Sequence, residues 1–172
     1  MRWVLIVAGV VIGVPVLLAL AGMLLPRGHV AVRSVKLKAG PDAVWALVSD
    51  LAGVPAWWPY LSKVERLADR DGRQVWRETR ANRWSIPLET MESTPGRRLV
   101  RRIADQDLAF GGEWVYEIEP SEGESLVTVT ERGEVRKPVL RVLALFGDKR
   151  AGIDSYLKAL ARRLGEEVHF GG

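Results

Sequence analysis

Residues 3–25, WVLIVAGVVIGVPVLLALAGMLL, run for 23 positions without a charge, between Arg2 and Arg27. That run constrains the chain more than any other feature, because so much contiguous apolar surface must leave water. As a helix it rises about 35 Å at ~1.5 Å per residue, which matches a bilayer core of about 30 Å. Pro15 would kink such a helix, which membrane segments tolerate better than soluble ones do. Ala19-Leu20-Ala21 has the small-x-small form of a signal cleavage site. The apolar run nevertheless continues through Met23, Leu24 and Leu25, and the leader is only Met1-Arg2. We therefore expect residues 1–27 to be an uncleaved, single-pass anchor. Arg27, Arg33, Lys36 and Lys38 follow it, so the positive-inside rule puts the remaining domain on the cytoplasmic side.

Residues 28–172 have the length of one domain with its own core. The sequence pI of about 9.7 suggests nucleic acid, but the charge distribution does not. All 21 acidic residues and 23 of the 25 basic ones lie beyond residue 27, interspersed. No nucleic-acid partner is expected.

The pattern along this part is one strand, two short helices, six strands and a C-terminal helix. VAVRSVKLK alternates apolar and polar residues. Pro41-Asp42 opens a helix with face Val44, Trp45, Leu47, Val48 and Leu51, and PAWWPYL follows as a short hook. Strands are expected at 64–68, 74–80, 84–91, 98–103, 113–119 and 126–135, joined by hairpin-length turns and hence antiparallel. Ile153, Tyr156, Leu157, Leu160 and Leu164 recur at helical spacing, and Gly165 is a stop. PVLRVLALF, residues 138–146, reads as the buried first half of that helix, with a break at 147–152, or else as an interfacial lip with Arg141, Lys149 and Arg150 reaching headgroups. The fold class is α+β, a curved antiparallel sheet of about seven strands around a long helix.

This order resembles the SRPBCC superfamily, the START and polyketide cyclase/dehydrase group with the helix-grip fold. PDAVWALVSD…WWP near the start of the domain and ERGEVRKPVLR…YLKALARRLGEE at its end carry the resemblance, over about residues 29–167. It implies a hydrophobic cavity between sheet and helix. It leaves activity open, since members range from lipid carriers to ring cyclases.

The residue inventory narrows the chemistry. The chain has no cysteine and two histidines, His29 and His169, at opposite ends of the domain. Neither a Ser-His-acid triad nor a multi-histidine or cysteine metal site can be drawn from it, and Gly111-Gly112 lacks the spacing of a phosphate loop. No metal, cofactor or catalytic residue is expected. What remains is aromatic and apolar material at strand period. Trp84, Ile86 and Leu88 share a face, as do Trp114, Tyr116 and Ile118. Trp76 inward carries Glu78 and Arg80 with it; Leu99 and Ile103 inward carry Arg101, a possible carboxylate or phosphate clamp. Asp105 and Asp107 suit a turn capped by Gly111-Gly112, with Leu108 and Phe110 closing over the sheet. The resemblance implies that Trp57, two residues before Pro59, packs the hook onto the sheet; Trp58 and Tyr60 are expected at a cavity mouth or membrane interface. The expected function is a membrane-anchored module holding a lipid or other apolar small molecule. The alternatives are a cyclase- or dehydratase-like enzyme for an oxygenated ring substrate, and an interaction domain with a packed interior.

Overall fold

A computed structural model describes residues 2–170, without the side chains of residues 4–10 and 12. The chain opens with helix α1, Arg2–Leu24, which contains Pro15. Among the described residues no helix is long and apolar enough to cross a membrane. Much of the expected span falls on side chains outside that description, so the anchor is not established by the fold.

Seven strands follow: β1 (Gly28–Leu37), β2 (Leu61–Arg66), β3 (Val75–Arg80), β4 (Ser85–Thr94), β5 (Arg98–Ile103), β6 (Phe110–Ser121) and β7 (Glu124–Val135). They form one sheet in the order β1-β7-β6-β5-β4-β3-β2, every neighbouring pair antiparallel. The expected α+β architecture is therefore present. Strand β4 runs on to Thr94 and β6 starts at Phe110, both longer than the alternation suggested. In β6 the reason is Gly111-Gly112, which continues the ladder opposite Glu134 and Gly133; a turn reading of those glycines is wrong. The turn lies earlier, where the Asp107 N–H donates to Asp105 Oδ1 at 2.9 Å.

Two connections position the site. Between β1 and β2 lie α2 (Pro41–Ser49), which starts on a proline with Asp42 in its first turn, and a 3-10 helix, Leu51–Ala56. Asp50 caps the latter by accepting from the Gly53 N–H at 3.1 Å. After β7 the apolar segment forms a separate helix, α3 (Pro138–Ala144), and only then α4 (Ala151–Arg163). The reading of 138–146 as the buried half of one long helix is thus corrected. Leu143, Leu145 and Phe146 are exposed, and the glycine-flanked turn between the helices redirects the chain.

Helix α4 lies on the sheet through Ile153, Tyr156, Leu157 and Leu160. These join Val35, Leu37, Val44, Val48, Ile118, Val127 and Val129 in the main core. Leu157 and Leu160 have no exposed surface, and burying each side chain stabilises by about 1.5–3 kcal/mol. Gly165, at φ +80°, ends the helix, and the Glu166 N–H returns to the Ala161 carbonyl at 2.9 Å. The Glu166 carboxylate then accepts the N–H groups of Lys38 and Ala39 at 2.9 and 3.2 Å. Arg33 and Asp154 pair at 2.8 Å nearer the start of α4. These two polar contacts fix the tilt of α4 against β1.

Candidate functional site: a cavity between sheet and helix

A cavity of about 310 Å³ separates part of the sheet from α4. Its walls follow from strand period. On β4, Ile86 and Leu88 point inward; on β6, Trp114 and Tyr116; on β7, Val129 and Glu131. Ile153 and Tyr156 close it from α4, and Trp58 and Tyr60 from the hook. Ala144, Gly147, Asp148 and Lys149, at the end of α3 and in the following turn, complete one side.

The hook explains two adjacent tryptophans beside a proline. Trp57 meets Tyr156 edge-on at a centroid distance of 5.3 Å, and Trp58 meets the same ring at 5.2 Å. The Trp58 indole N–H also donates to Ser155 Oγ at 3.0 Å. Trp57 is partly buried against the core, whereas Trp58 reaches the cavity wall.

From Trp58 a stack runs along the rim. Tyr60 lies parallel to Trp58 at 4.9 Å. The Arg80 guanidinium then sits between Tyr60, at 4.9 Å, and Trp84, at 4.4 Å, and Trp84 abuts Phe110 at 4.9 Å. Trp84 and Phe110 thus extend the rim stack and are not in the cavity wall. They pack instead beside Ile86, Leu88 and Ile103. Two other sequence candidates also stand outside the wall. Ile118 is buried in the core. Trp76 packs against that core under the Arg66 guanidinium, 5.4 Å from its ring centre.

Ionisable groups reach the cavity from the sheet and the rim, Glu78, Arg80, Arg101 and Glu131 among them. Arg101, on β5 and 4 % exposed, donates through Nη1 to Glu78 Oε1 on β3, over the inward face of β4. Its Nε and Nη2 are buried and have no hydrogen-bond partner among the described residues. The neighbouring arginines are satisfied outside: Arg98 by Glu92 and Glu117, Arg102 by Glu113. Glu113 also accepts from Arg132, and these two arginines hold its carboxyl below the usual range. Toward the mouth, Glu131 accepts from the Trp114 indole N–H at 3.1 Å, with His29 Nε2 at 3.6 Å. A Cβ on Gly133 would collide with the His29 ring, so this glycine on β7 makes room for it.

Burial raises the phenols of Tyr116 and Tyr156 well above their ordinary value, and that of Tyr60 to a lesser degree against the opposing charge of Arg80. All three remain neutral near pH 7. The cavity therefore offers aliphatic and aromatic walls, neutral phenols and the Arg101–Glu78 pair at its side. Sequence reasoning missed its β1, β7 and α4 contributions: His29, Glu131, Ile153 and Tyr156. For Glu131 a signal existed, since strand period from Val127 and Val129 carries it inward.

Fold and cavity together define a helix-grip domain of the START type, a scaffold for enclosing a small molecule. Residues 29–168 match the model of the polyketide cyclase/dehydrase and lipid transport family, and the chain belongs to it. No curated protein matches the chain in sequence. Among solved structures, a START superfamily protein from Mycobacterium smegmatis superposes with a TM-score of 0.63 at 20% identity, covering 80% of this chain and 97% of that one. The Zhui aromatase/cyclase from a Streptomyces species gives 0.61 at 16%, covering 80% and 96%. A truncated norcoclaurine synthase from Thalictrum flavum gives 0.65 at 12%, covering 82% and 96%. At these identities the likeness is one of fold.

Proposed function

We propose that residues 28–172 bind one amphipathic small molecule, apolar along most of its length, with an oxygen-bearing head against Arg101. Residues 1–27 hold this domain at a membrane, on the cytoplasmic side given the basic flank after α1. The role is that of a carrier, sensor or transfer protein for a lipid or similar apolar compound.

One observation carries the reading: the Arg101 guanidinium, 4 % exposed, stands beside a largely aromatic and aliphatic cavity wall, and its buried Nε and Nη2 have no hydrogen-bond partner among the described residues. Leaving such donors without a partner costs about 1–3 kcal/mol each; a ligand carboxylate, phosphate or carbonyl oxygen removes that cost once the guanidinium turns its buried edge toward the cavity. The volume lies at the low end of the ~300–1,000 Å³ typical of ligand pockets. It favours one chain or one ring system over a two-chain lipid.

The alternative is an enzyme of the cyclase or dehydratase kind, and one feature favours it. Tyr116 and Tyr156 are kept neutral beside Arg101 and Glu78, so donors and a carboxylate converge on one space. Such a set can polarise a carbonyl and accept a proton.

Titration with cis-parinaric acid, a fluorescent single-chain carboxylate, tests the binding reading on the full chain in detergent. Saturable energy transfer from tryptophan, abolished by Leu88→Phe and unchanged by Glu122→Lys at the far hairpin, is expected. Transfer that never saturates, or that survives a filled cavity, contradicts it.

A further inference from the structure

Helix α3 makes contacts in three directions. Toward α1 it is bolted down. A Cβ on Gly22 would collide with the Pro138 carbonyl, so glycine there permits direct backbone approach. Arg141, 6 % exposed, donates to the Gly22 carbonyl at 3.2 Å and to those of Val135 and Arg136 at 2.8 Å each. Its charge thus closes a helix end, where a cation is favoured, and it is not directed at headgroups. Toward the cavity, Ala144 and the turn residues Gly147, Asp148 and Lys149 form part of the wall.

Toward solvent the same segment is apolar. Leu143 is 59 %, Leu145 57 % and Phe146 87 % exposed, and Leu140 lies one turn back. Beyond α1, the other exposed large apolar side chains among the described residues are Val30 and Val32 on β1 and Tyr60 at the mouth. Lys137, Lys149 and Arg150 flank the segment and are exposed. Asp148, also exposed, accepts the Arg150 N–H at 2.8 Å within its own loop.

We infer that α3 and the turn to α4 form a lip seated in the headgroup region of the bilayer that holds α1, so that the cavity opens onto lipid. The inference rests on the anchor reading of α1. Its occupant follows from continuity: α3 is fixed to the end of an apolar helix whose Leu20, Met23 and Leu24 are themselves exposed. An apolar ridge bordered by lysine and arginine is the pattern of an interfacial segment. A ligand would then pass between bilayer and cavity beneath the lip without crossing water.

The chain has no cysteine, so single labels can be placed in the full-length protein. Leu145→Cys, Leu17→Cys and Glu122→Cys each carry an environment-sensitive fluorophore in vesicles of phosphatidylcholine and phosphatidylglycerol. Lipids bearing a nitroxide near the headgroup or near the chain end serve as quenchers. The expected result is quenching at 145 chiefly by the shallow nitroxide, at 17 chiefly by the deep one, and none at 122. Quenching at 17 with none at 145 overturns the lip and leaves the anchor standing. Quenching at neither site overturns both, while ligand binding in detergent is read independently.

Discussion

Arg101 and Glu78 are paired inside the sheet's concave face although their strands are not neighbours: β4 runs between them, with Leu88 on its inward side. Both are largely buried, at 4 % and 13 % exposure. Breaking a buried pair leaves the survivor uncompensated, which costs about 3–5 kcal/mol, whereas replacing both by apolar groups is often neutral. Arg101→Leu should therefore lower the thermal midpoint strongly, and Arg101→Leu with Glu78→Leu should restore most of it. Both variants should lose cis-parinaric acid binding. Stability restored together with binding would remove Arg101 from the site.

The tyrosines give a test in pH. All three in the chain, Tyr60, Tyr116 and Tyr156, have phenols raised above their usual value, chiefly by burial. The unfolded chain releases those protons from about pH 10, and the folded one holds them. Stability from this source is complete below pH ~10 and falls as pH rises beyond it, because the unfolded state then binds fewer protons. A titration followed by tyrosinate absorbance should show no ionisation of Tyr116 or Tyr156 until the fold is lost. Three phenols titrating together near pH 10 in the native protein would mean that the rings are open to solvent.

At the base of α1, Gly22→Val should push α3 away and weaken the Arg141 contact. Overpacking of this kind costs about 1–3 kcal/mol. Faster trypsin cleavage after Arg27 is expected. An unaltered cleavage rate would show that α1 and α3 are not coupled.

The sheet was legible in the sequence because each strand had its own alternation and turn, and α4 because Ile153, Tyr156, Leu157 and Leu160 recur at helical spacing. The burial of Arg101 was not legible: Leu99 and Ile103 carry it inward, but Val100 between them is buried as well, and the arginine-rich run also fits a solvated strand. The rim stack was not legible: whether Trp84 faces the cavity or leans on Phe110 depends on where Arg80 inserts, which is a tertiary choice. The break between α3 and α4 was legible at Gly147–Gly152, but the exposure of the run before it was not, since an apolar run reads alike whether it is buried by a sheet or exposed. Gly22 gave no signal, because its role is contact with a segment more than a hundred residues away.

The central claim is occupancy of the cavity by one amphipathic molecule. Native mass spectrometry of the full chain released from detergent, followed by solvent extraction, measures it directly. A single bound amphiphile per chain, absent from Leu88→Trp at an unchanged melting temperature, is the predicted result. Ligand-free masses for the native protein, or a bound molecule that persists in Leu88→Trp, would contradict it.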